Sequence, residues 1–432
     1  MPTPLAAAPS PGPLSRHRGP LRIVAVLLGV LVGWFVVDRL LVDRRPIVVG
    51  LIHSLTGDDA AREKTLLDAE TATLAELDAG GGLLGRPVHW VVADGCSDAT
   101  TFARKAESLV RDRGACVIVG CARTGARKAV ARVVEATDHL LVYPCRHEGL
   151  EQSKNVFYTG AVPSQCLGPG VDWLRRRFAA KRFQLLVADD AWGQAIAALA
   201  GDMAAAFGDH VAARTIVVRD DAAEAVAATI AAADADAVIC TLDWGTTAAV
   251  VRSLSRLGIR PDALPILALP DDPSPPPGGD ALAGVYTVVT GAAAGTAPAS
   301  PLASDAAAAA SLAIRLWAQA VRDAESTDVR QVRDALRHQS LSSGDGILAI
   351  DPGTQHTWQR ALVVRIRSDG RQEAVPDAEP TMLRPVPFPP TRSRAAWERW
   401  SESLLRGWGG IWDAPHTDRE APVPRRPAGE AT

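Results

Sequence analysis

The sequence lacks an excess of charge of either sign. Lys+Arg 46 against Asp+Glu 49 leave a formal net charge of -3 in 432 residues. That balance carries no electrostatic footprint for nucleic acid, so no nucleic-acid partner is expected. Cysteine is scarce, six in the chain, which excludes a disulfide scaffold. Gly 36 and Pro 31 fall short of a low-complexity composition. No G-x-S-x-G is present, and no Ser or Cys has an evident His partner. Cys121 with His147 is the one pair to weigh, and the thiol reads better as structural or pocket-lining. His147-Glu148 opens like a zinc motif, but no second His follows at the required spacing. Neither an enzyme, a cofactor nor a metal site is expected. Long apolar runs are missing too. The uncharged run at 23–37 is fifteen residues, too short alone to cross about 30 Å of hydrocarbon at about 1.5 Å per residue.

What is present is a 47% hydrophobic chain, enough for sizeable cores, of a length that suits two to three domains. The N-terminal run continues through Leu40, Leu41 and Val42 but takes in Asp38 and Arg39. Arg16, Arg18 and Arg22 precede it, which favours the N-terminus inside. A signal-peptide region and an uncleaved anchor with snorkelling end charges both fit. The absence of an A-x-A-like site after Val37 favours the anchor. Residues 1–45 are thus read as a cytoplasmic tail and membrane anchor, with everything from Pro46 outside the cytoplasm.

From Pro46 the pattern alternates. Apolar strand-length runs stand at 47–52, 88–93, 116–120 and 140–143, separated by helical spacing at 60–77, 100–111 and 125–136. Asp98 suits the N-cap of the second helix. After Val156-Phe157-Tyr158 the alternation restarts. Helices are expected at 171–178, 192–207, 222–232 and 247–257, and strands at 183–187, 211–218, 237–241 and 265–269. Continuous apolar strands alternating with helices imply doubly wound parallel sheets. The stretch 271–279 (D-D-P-S-P-P-P-G-G) reads as a loop breaker. A strand at 285–290, helices at 304–325 and 329–338 and a strand at 361–367 then return to complete both halves. The fold class expected is α/β: two doubly wound lobes joined by a multi-strand hinge, with an N-terminal hydrophobic helix. Lobe 1 takes 46–162 with about 290–350, lobe 2 takes 163–289 with about 351–385, and 386–432 is a Pro/Trp-rich extension. A cleft between hinged lobes is a ligand site by default.

Two glycine patterns carry no cofactor. Gly80 to Gly85 fits G-x-G-x-x-G but lies between a helix and a strand, the wrong order for a dinucleotide turn. It reads as a helix stop with left-handed glycine. Gly120 to Gly125 has P-loop spacing, yet Ala126 stands where Lys is required. Its position still matters: residues 121–124 follow a strand and open a helix, so backbone N–H groups there can hold a carbonyl oxygen or an anion.

A series of local motifs falls in one order. His53-Ser54-Leu55-Thr56-Gly57 comes first, then Ala93-Asp94-Gly95-Cys96, Val119-Gly120-Cys121 and Val142-Tyr143-Pro144. Glu148-Gly149-Leu150-Glu151, Asn155-Val156-Phe157-Tyr158-Thr159-Gly160, Leu316-Trp317 and Ile350-Asp351-Pro352 follow. Together they resemble the substrate-binding proteins of urea and short-chain-amide ABC transporters, a branch of the type I periplasmic-binding fold, over about 47–385. The resemblance implies a ligand-binding protein of the periplasm, read by ABC permease subunits; one relative in the branch is an amide sensor. The implied ligand is urea, a short amide or a related small polar solute. By the same resemblance, Ser54, Arg62, Cys121, Ala122, Thr124, Tyr143, Cys145, Arg146, Asp190 and Trp192 fall at ligand-site positions. Tyr143, Thr124 and Trp192 keep the residue character of that branch. Ala122 replaces an aromatic, Asp190 replaces a Tyr, Arg62 stands where a small hydroxyl residue is usual, and Arg146 and His147 depart as well. Arg62, Arg123 and Arg146 together suit an anion or a zwitterion.

Two features stay open at this level. Cys121 and Cys145 end strands expected to be adjacent and would form a disulfide only if their Cα atoms lie within about 7 Å. Trp397, Trp400, Leu404, Leu405, Trp408, Ile411 and Trp412 recur near helical spacing. They fit a membrane-interface or partner-binding helix, or one that packs on its own lobe. The second reading of the whole chain is a membrane-anchored sensing or interaction module with a retuned pocket.

Overall fold

The computed structural model describes residues 45–217, 221–273, 279–291, 305–343 and 346–412, together with Leu27. The N-terminal hydrophobic helix, Leu27 apart, and the tail beyond 412 lie outside the described residues. Among the described residues no helix is long and apolar enough to cross a membrane.

Successive residues of the first strand, β1 (Ile47–His53), divide between two apolar layers. Val49 and Leu51 pack with Val117, Val119, Val142 and Phe157. Ile52 packs with Ile118, Leu141, Val156 and Tyr158 on the other side. That division is the pleat of a sheet covered on both faces, and it accounts for the continuous apolar runs. In chain order the elements are β1, α1 (Ala60–Ala79), β2 (Val88–Asp94), α2 (Ala99–Arg111), β3 (Val117–Gly120), α3 (Thr124–Ala136), β4 (Leu141–Tyr143) and β5 (Val156–Tyr158). The sheet runs β2-β1-β3-β4-β5, with every pairing parallel. Asp98 caps α2 as expected, its carboxylate accepting from the Thr101 N–H at 2.7 Å.

The second half repeats the pattern with α4 (Pro163–Phe178), β6 (Arg182–Ala188), α5 (Ala191–Phe207), β7 (His210–Val217), α6 (Ala223–Ala232), β8 (Ala237–Cys240), α7 (Trp244–Arg256), β9 (Ile266–Ala268) and β10 (Tyr286–Thr290). The strand order β7-β6-β8-β9-β10 mirrors the first sheet. Phe183, Leu185 and Val187 face Leu174, Trp192 and Ile196, whereas Leu186, Val238 and Ile266 face Val226, Ile230 and Val251. One helix starts earlier than expected. α4 begins at Pro163, where a missing N–H is harmless, and Gln165 Oε1 accepts from the Val162 N–H at 3.1 Å. Its Gly-Pro-Gly interior survives because burial overrides propensity: Gly170 presses on Leu267.

The chain then returns to the first sheet with α8 (Asp305–Asp323), α9 (Val329–Leu336) and a hairpin of β11 (Ser340–Ser343) and β12 (Gly346–Ala349). Leu316, Trp317, Val332 and Leu336 join the core of the first sheet. β13 (Gln359–Ile366) adds to the second sheet antiparallel to β10, with β14 (Gln372–Ala374) and β15 (Thr381–Leu383) paired to it in turn. The chain passes between the two sheets after Tyr158, after Thr290 and before Gln359. The last helix, α10 (Arg394–Gly407), starts at a Ser393 cap.

Candidate functional site

The loops at the carboxyl ends of the strands carry the chemistry. At the end of β3, Gly120 has φ 130 and the Cβ of any other residue would stand 2.2 Å from the Ile52 carbonyl oxygen. Cys121 follows in the left-handed region at φ 68, a strained conformation for a side-chain-bearing residue. This turn starts α3 beside β1 and β4. At the first crossover Gly160 lies so close to the β4 loop that a Cβ would stand 1.9 Å from the Cys145 carbonyl oxygen.

Most of the aromatic and hydroxyl groups expected to meet a ligand hold the chain itself. The Tyr143 hydroxyl donates to the Ala122 carbonyl at 2.8 Å, and the Trp192 indole N–H donates to the Leu269 carbonyl at 2.7 Å. Ser54 Oγ donates to Glu63 Oε1 at 3.0 Å, and Thr124 Oγ1 to Glu148 Oε2 at 3.0 Å. Asp190 caps α5, accepting from the Gly193 N–H at 2.7 Å. Cys121 is buried, and burial drives its thiol well above the ordinary range, which removes the thiolate a nucleophile needs. Cys145 Sγ sits 3.6 Å from the Cys121 carbonyl oxygen, and both thiols are free.

Three arginines of the first lobe reach the second. Arg62 NH1 pairs with Asp271 Oδ2 at 2.6 Å, and Arg123 NH1 stands 3.7 Å from the same oxygen while NH2 pairs with Asp59 at 2.7 Å. Arg146 is buried and donates to the Val288 carbonyl at 2.8 Å and the Pro270 carbonyl at 3.3 Å. Burial alone would raise the Asp271 carboxyl, but the Arg62 and Arg123 guanidinia hold it below its ordinary range. Asp190 moves the other way: burial, reinforced by the charge of Asp271, raises it. Motif reasoning passed over Asp271 and Asp59; only the run of three cleft arginines hinted that counter-charges were needed.

Two buried networks support this surface. His53 lies between Glu63 (Nδ1 to Oε2, 3.0 Å) and Glu70 (Nε2 to Oε2, 2.8 Å), all three side chains fully buried. Burial would lower the imidazole, yet the Glu70 and Glu63 carboxylates outweigh it and raise the pKa to about 10. Glu63 and Glu70 stand two turns apart on α1, so His53 fixes the helix that carries Arg62. The second network centres on buried Arg127, bound to Glu148 at 2.6 Å and Glu151 at 3.3 Å. Glu148 therefore pairs locally, and the Tyr158 hydroxyl closes the set on Glu151 at 2.6 Å. His147 stacks on Tyr158 at 4.7 Å and on His356 at 5.1 Å. Burial holds both imidazoles low, His356 at about 4.

A cavity of about 570 Å³ opens where these parts meet. Arg62, Thr65 and Leu66 of α1, residues 144–146 and residues 271–273 form one end. Residues 159–161, Thr290, Gly291 and Gln359 of the crossovers, residues of α8 with Arg315 among them, and Leu341, Ser342 and Leu348 of the hairpin complete the lining. Of the ten expected site residues, Arg62, Cys145 and Arg146 line it. Ser54, Cys121, Ala122, Thr124, Tyr143, Asp190 and Trp192 are not among its lining residues. The cavity is a fitting enclosure for a small molecule, and its lining sets Arg62, Arg146, Arg315, Asp271 and Asp272 among Ala and Leu side chains.

Comparison with known proteins agrees with this architecture. A solved branched-chain amino acid transporter substrate-binding protein from Streptococcus pneumoniae, in complex with isoleucine, is 18% identical with a TM-score of 0.65, covering 78% of this chain and 100% of that one. A solute-binding protein of an ABC transporter from Rhodopseudomonas palustris, in complex with 3,4-dihydroxybenzoic acid, is 19% identical with a TM-score of 0.65, covering 77% and 96%. An amino acid ABC transporter substrate-binding protein from Pseudomonas fluorescens is 18% identical with a TM-score of 0.67, covering 82% and 98%. These likenesses are of fold. The family described as "Periplasmic binding protein domain" matches residues 47–270 and 292–394, most of the sequence. The chain belongs to that family of binding proteins, with two doubly wound sheets, a triple crossover and a charged cavity between them.

Proposed function

We propose that the protein is the extracytoplasmic solute-binding component of an ABC-type importer, and that its solute is small, polar and charged. The observation that carries this reading is the meeting of Arg62 and Arg146 with Asp271 and Asp272 in the lining of one cavity. Breaking the Arg62–Asp271 pair for a neutral molecule would take Arg62 from its closest counter-charge and leave Asp271 only the longer Arg123 contact, which costs up to about 3–5 kcal/mol for largely buried groups. A solute bearing a carboxylate and a cation exchanges partners instead. Its carboxylate takes the Arg62 fork and its cation takes Asp271, so every charge keeps an opposite neighbour. The solute then bridges the two lobes, and permease subunits read the closed form. Solved relatives in complex with isoleucine and with 3,4-dihydroxybenzoic acid support a carboxylate-bearing ligand. Urea and short amides, which the motif order suggested, are the neutral competitors. An N-terminal anchor in the inner membrane, with the binding lobes in the periplasm, completes the proposal.

A thermal-shift screen of the full chain tests it, with amino acids, small carboxylates, urea, acetamide and other short amides. Binding to the folded state alone stabilises by about 2.7 kcal/mol at a hundredfold excess over Kd. A shift with amino acids or carboxylates supports the reading, and a shift with urea or amides alone overturns the charged-solute part. Silence across the panel favours the second reading, a sensing or interaction module. That reading draws its support from the engagement of Tyr143 and Trp192 with backbone carbonyls.

A further inference from the structure

The C-terminal extension does not stand apart from the lobes. Residues 384–412 leave β15 and touch both. On the first lobe, the Leu150 N–H donates to the Pro387 carbonyl at 2.9 Å, Arg394 NH1 donates to Gln152 Oε1 at 3.2 Å, and Lys128 Nζ lies 4.8 Å from the Trp412 ring centre. On the second lobe, Arg392 forks onto Asp202 of α5, Nε to Oδ2 at 2.7 Å and NH2 to Oδ1 at 2.8 Å. The segment is internally braced between these ends. Trp397 is 1% exposed, donates its indole N–H to the Pro389 carbonyl at 2.8 Å, and lies under the Arg392 guanidinium at 4.4 Å. Trp408 is buried as well, so the Trp face covers the protein's own surface.

We propose that residues 384–412 are a strap that limits how far the two lobes separate, with Arg392–Asp202 as its releasable end. Two bodies joined at crossovers rotate about those crossovers, and a segment bonded to both must yield at its weakest attachment. The backbone bond at Leu150 and the Arg394–Gln152 contact hold the first-lobe end, and near β15 the Val386 N–H donates to Ser164 Oγ of the second lobe at 3.3 Å. The Arg392–Asp202 fork has 30% and 21% of its side chains exposed, and bidentate geometry gives it direction without the penalty of full burial. Arg392 also stacks on Trp397, which steadies the rotamer that reaches Asp202. Asp202 lies on α5, the helix that Asp190 caps and that packs on the second sheet through Trp192 and Ile196, so the strap acts on the body of the second lobe.

The test reads lobe separation directly and needs no ligand, so its failure is distinct from failure of the solute reading. One spin label goes on Cys96, exposed on the first lobe, and one on Ala225→Cys, exposed at the start of α6. Double electron–electron resonance on the full chain then compares wild type, Arg392→Ala, Asp202→Ala, the double variant and the exchanged pair Arg392→Asp with Asp202→Arg. Circular dichroism and thermal unfolding establish that each variant is folded. A shift to longer, broader distances in both single variants, with no further shift in the double and recovery in the exchanged pair, supports the strap. An unchanged distribution in folded Arg392→Ala and Asp202→Ala overturns it, as does an equal shift in all variants including the exchanged pair.

Discussion

Substituting His53 by Gln removes the cation between two buried carboxylates while nearly preserving volume. The imidazole pKa is raised from 6.5 to about 10, because Glu70 and Glu63 outweigh the burial that would lower it. A raised pKa contributes stability that is complete below 6.5 and disappears as pH climbs through about 10. Each pH unit is worth about 1.4 kcal/mol, so the imidazolium contributes about 4 kcal/mol at pH 7. The side chains of His53, Glu63 and Glu70 are all 0% exposed, so solvent screening does not reduce that figure. Removing one member of a buried charge cluster costs about 3–5 kcal/mol in general. His53→Gln is therefore expected to lose about 4 kcal/mol at pH 7. Its difference from wild type should shrink to below about 1 kcal/mol near pH 10. Urea unfolding at pH 6.5, 8 and 9.5 measures this, followed by far-ultraviolet circular dichroism and by Trp fluorescence, whose agreement tests two-state behaviour. A difference that stays constant across that range would refute the protonated-triad account, and so would a loss under about 1 kcal/mol at pH 7.

Other outcomes follow from single contacts. Trp192→Phe keeps the ring but strands the Leu269 carbonyl, and a loss of about 1–3 kcal/mol is expected in chemical denaturation; no loss would mean the bond is incidental. Gly160→Ala forces a Cβ into the Cys145 carbonyl oxygen, and overpacking of about 1–3 kcal/mol or more should appear as a lower unfolding midpoint. Thiol titration without reductant should count one fast thiol, Cys96, in the native protein and all six in urea. A count below six in urea would reveal a disulfide and contradict the free pair Cys121 and Cys145.

The fold was legible because its signal is periodic. A buried parallel strand is a continuous apolar run, and nine such runs separated by helical spacing left little choice but two doubly wound sheets. Legibility ended where burial overrides local preference. The helix was expected only from 171, yet Gly168, Pro169 and Gly170 sit inside α4, where the helix presses on the sheet. The hairpin of β11 and β12 was missed, since Ser-rich strands with a short apolar register give no strand pattern. Of the residues named from motif order, Arg62, Cys145 and Arg146 line the cavity, whereas Asp271, in a Pro-rich run read only as a loop breaker, was not named. Residue types also could not say which way a polar group turns. The polar atoms of Tyr143 and Trp192, expected to meet a ligand, bind backbone carbonyls. The Glu63–Glu70 pair had a readable signal: two carboxylates seven residues apart on the helix face that also carries Leu66 and Leu74. Carboxylates on a buried stripe require a cation, and His53 is that cation.

The central claim is that the cavity holds a charged small solute through Arg62 and Asp271 across the two lobes. Calorimetric titration of the full chain with amino acids and small carboxylates, beside urea and acetamide, tests it most directly, in wild type and in Arg62→Gln. The account predicts saturable binding of a carboxylate-bearing compound that weakens at least about 30-fold, or about 2 kcal/mol, in Arg62→Gln. Binding of urea or acetamide with equal affinity in both proteins would contradict it.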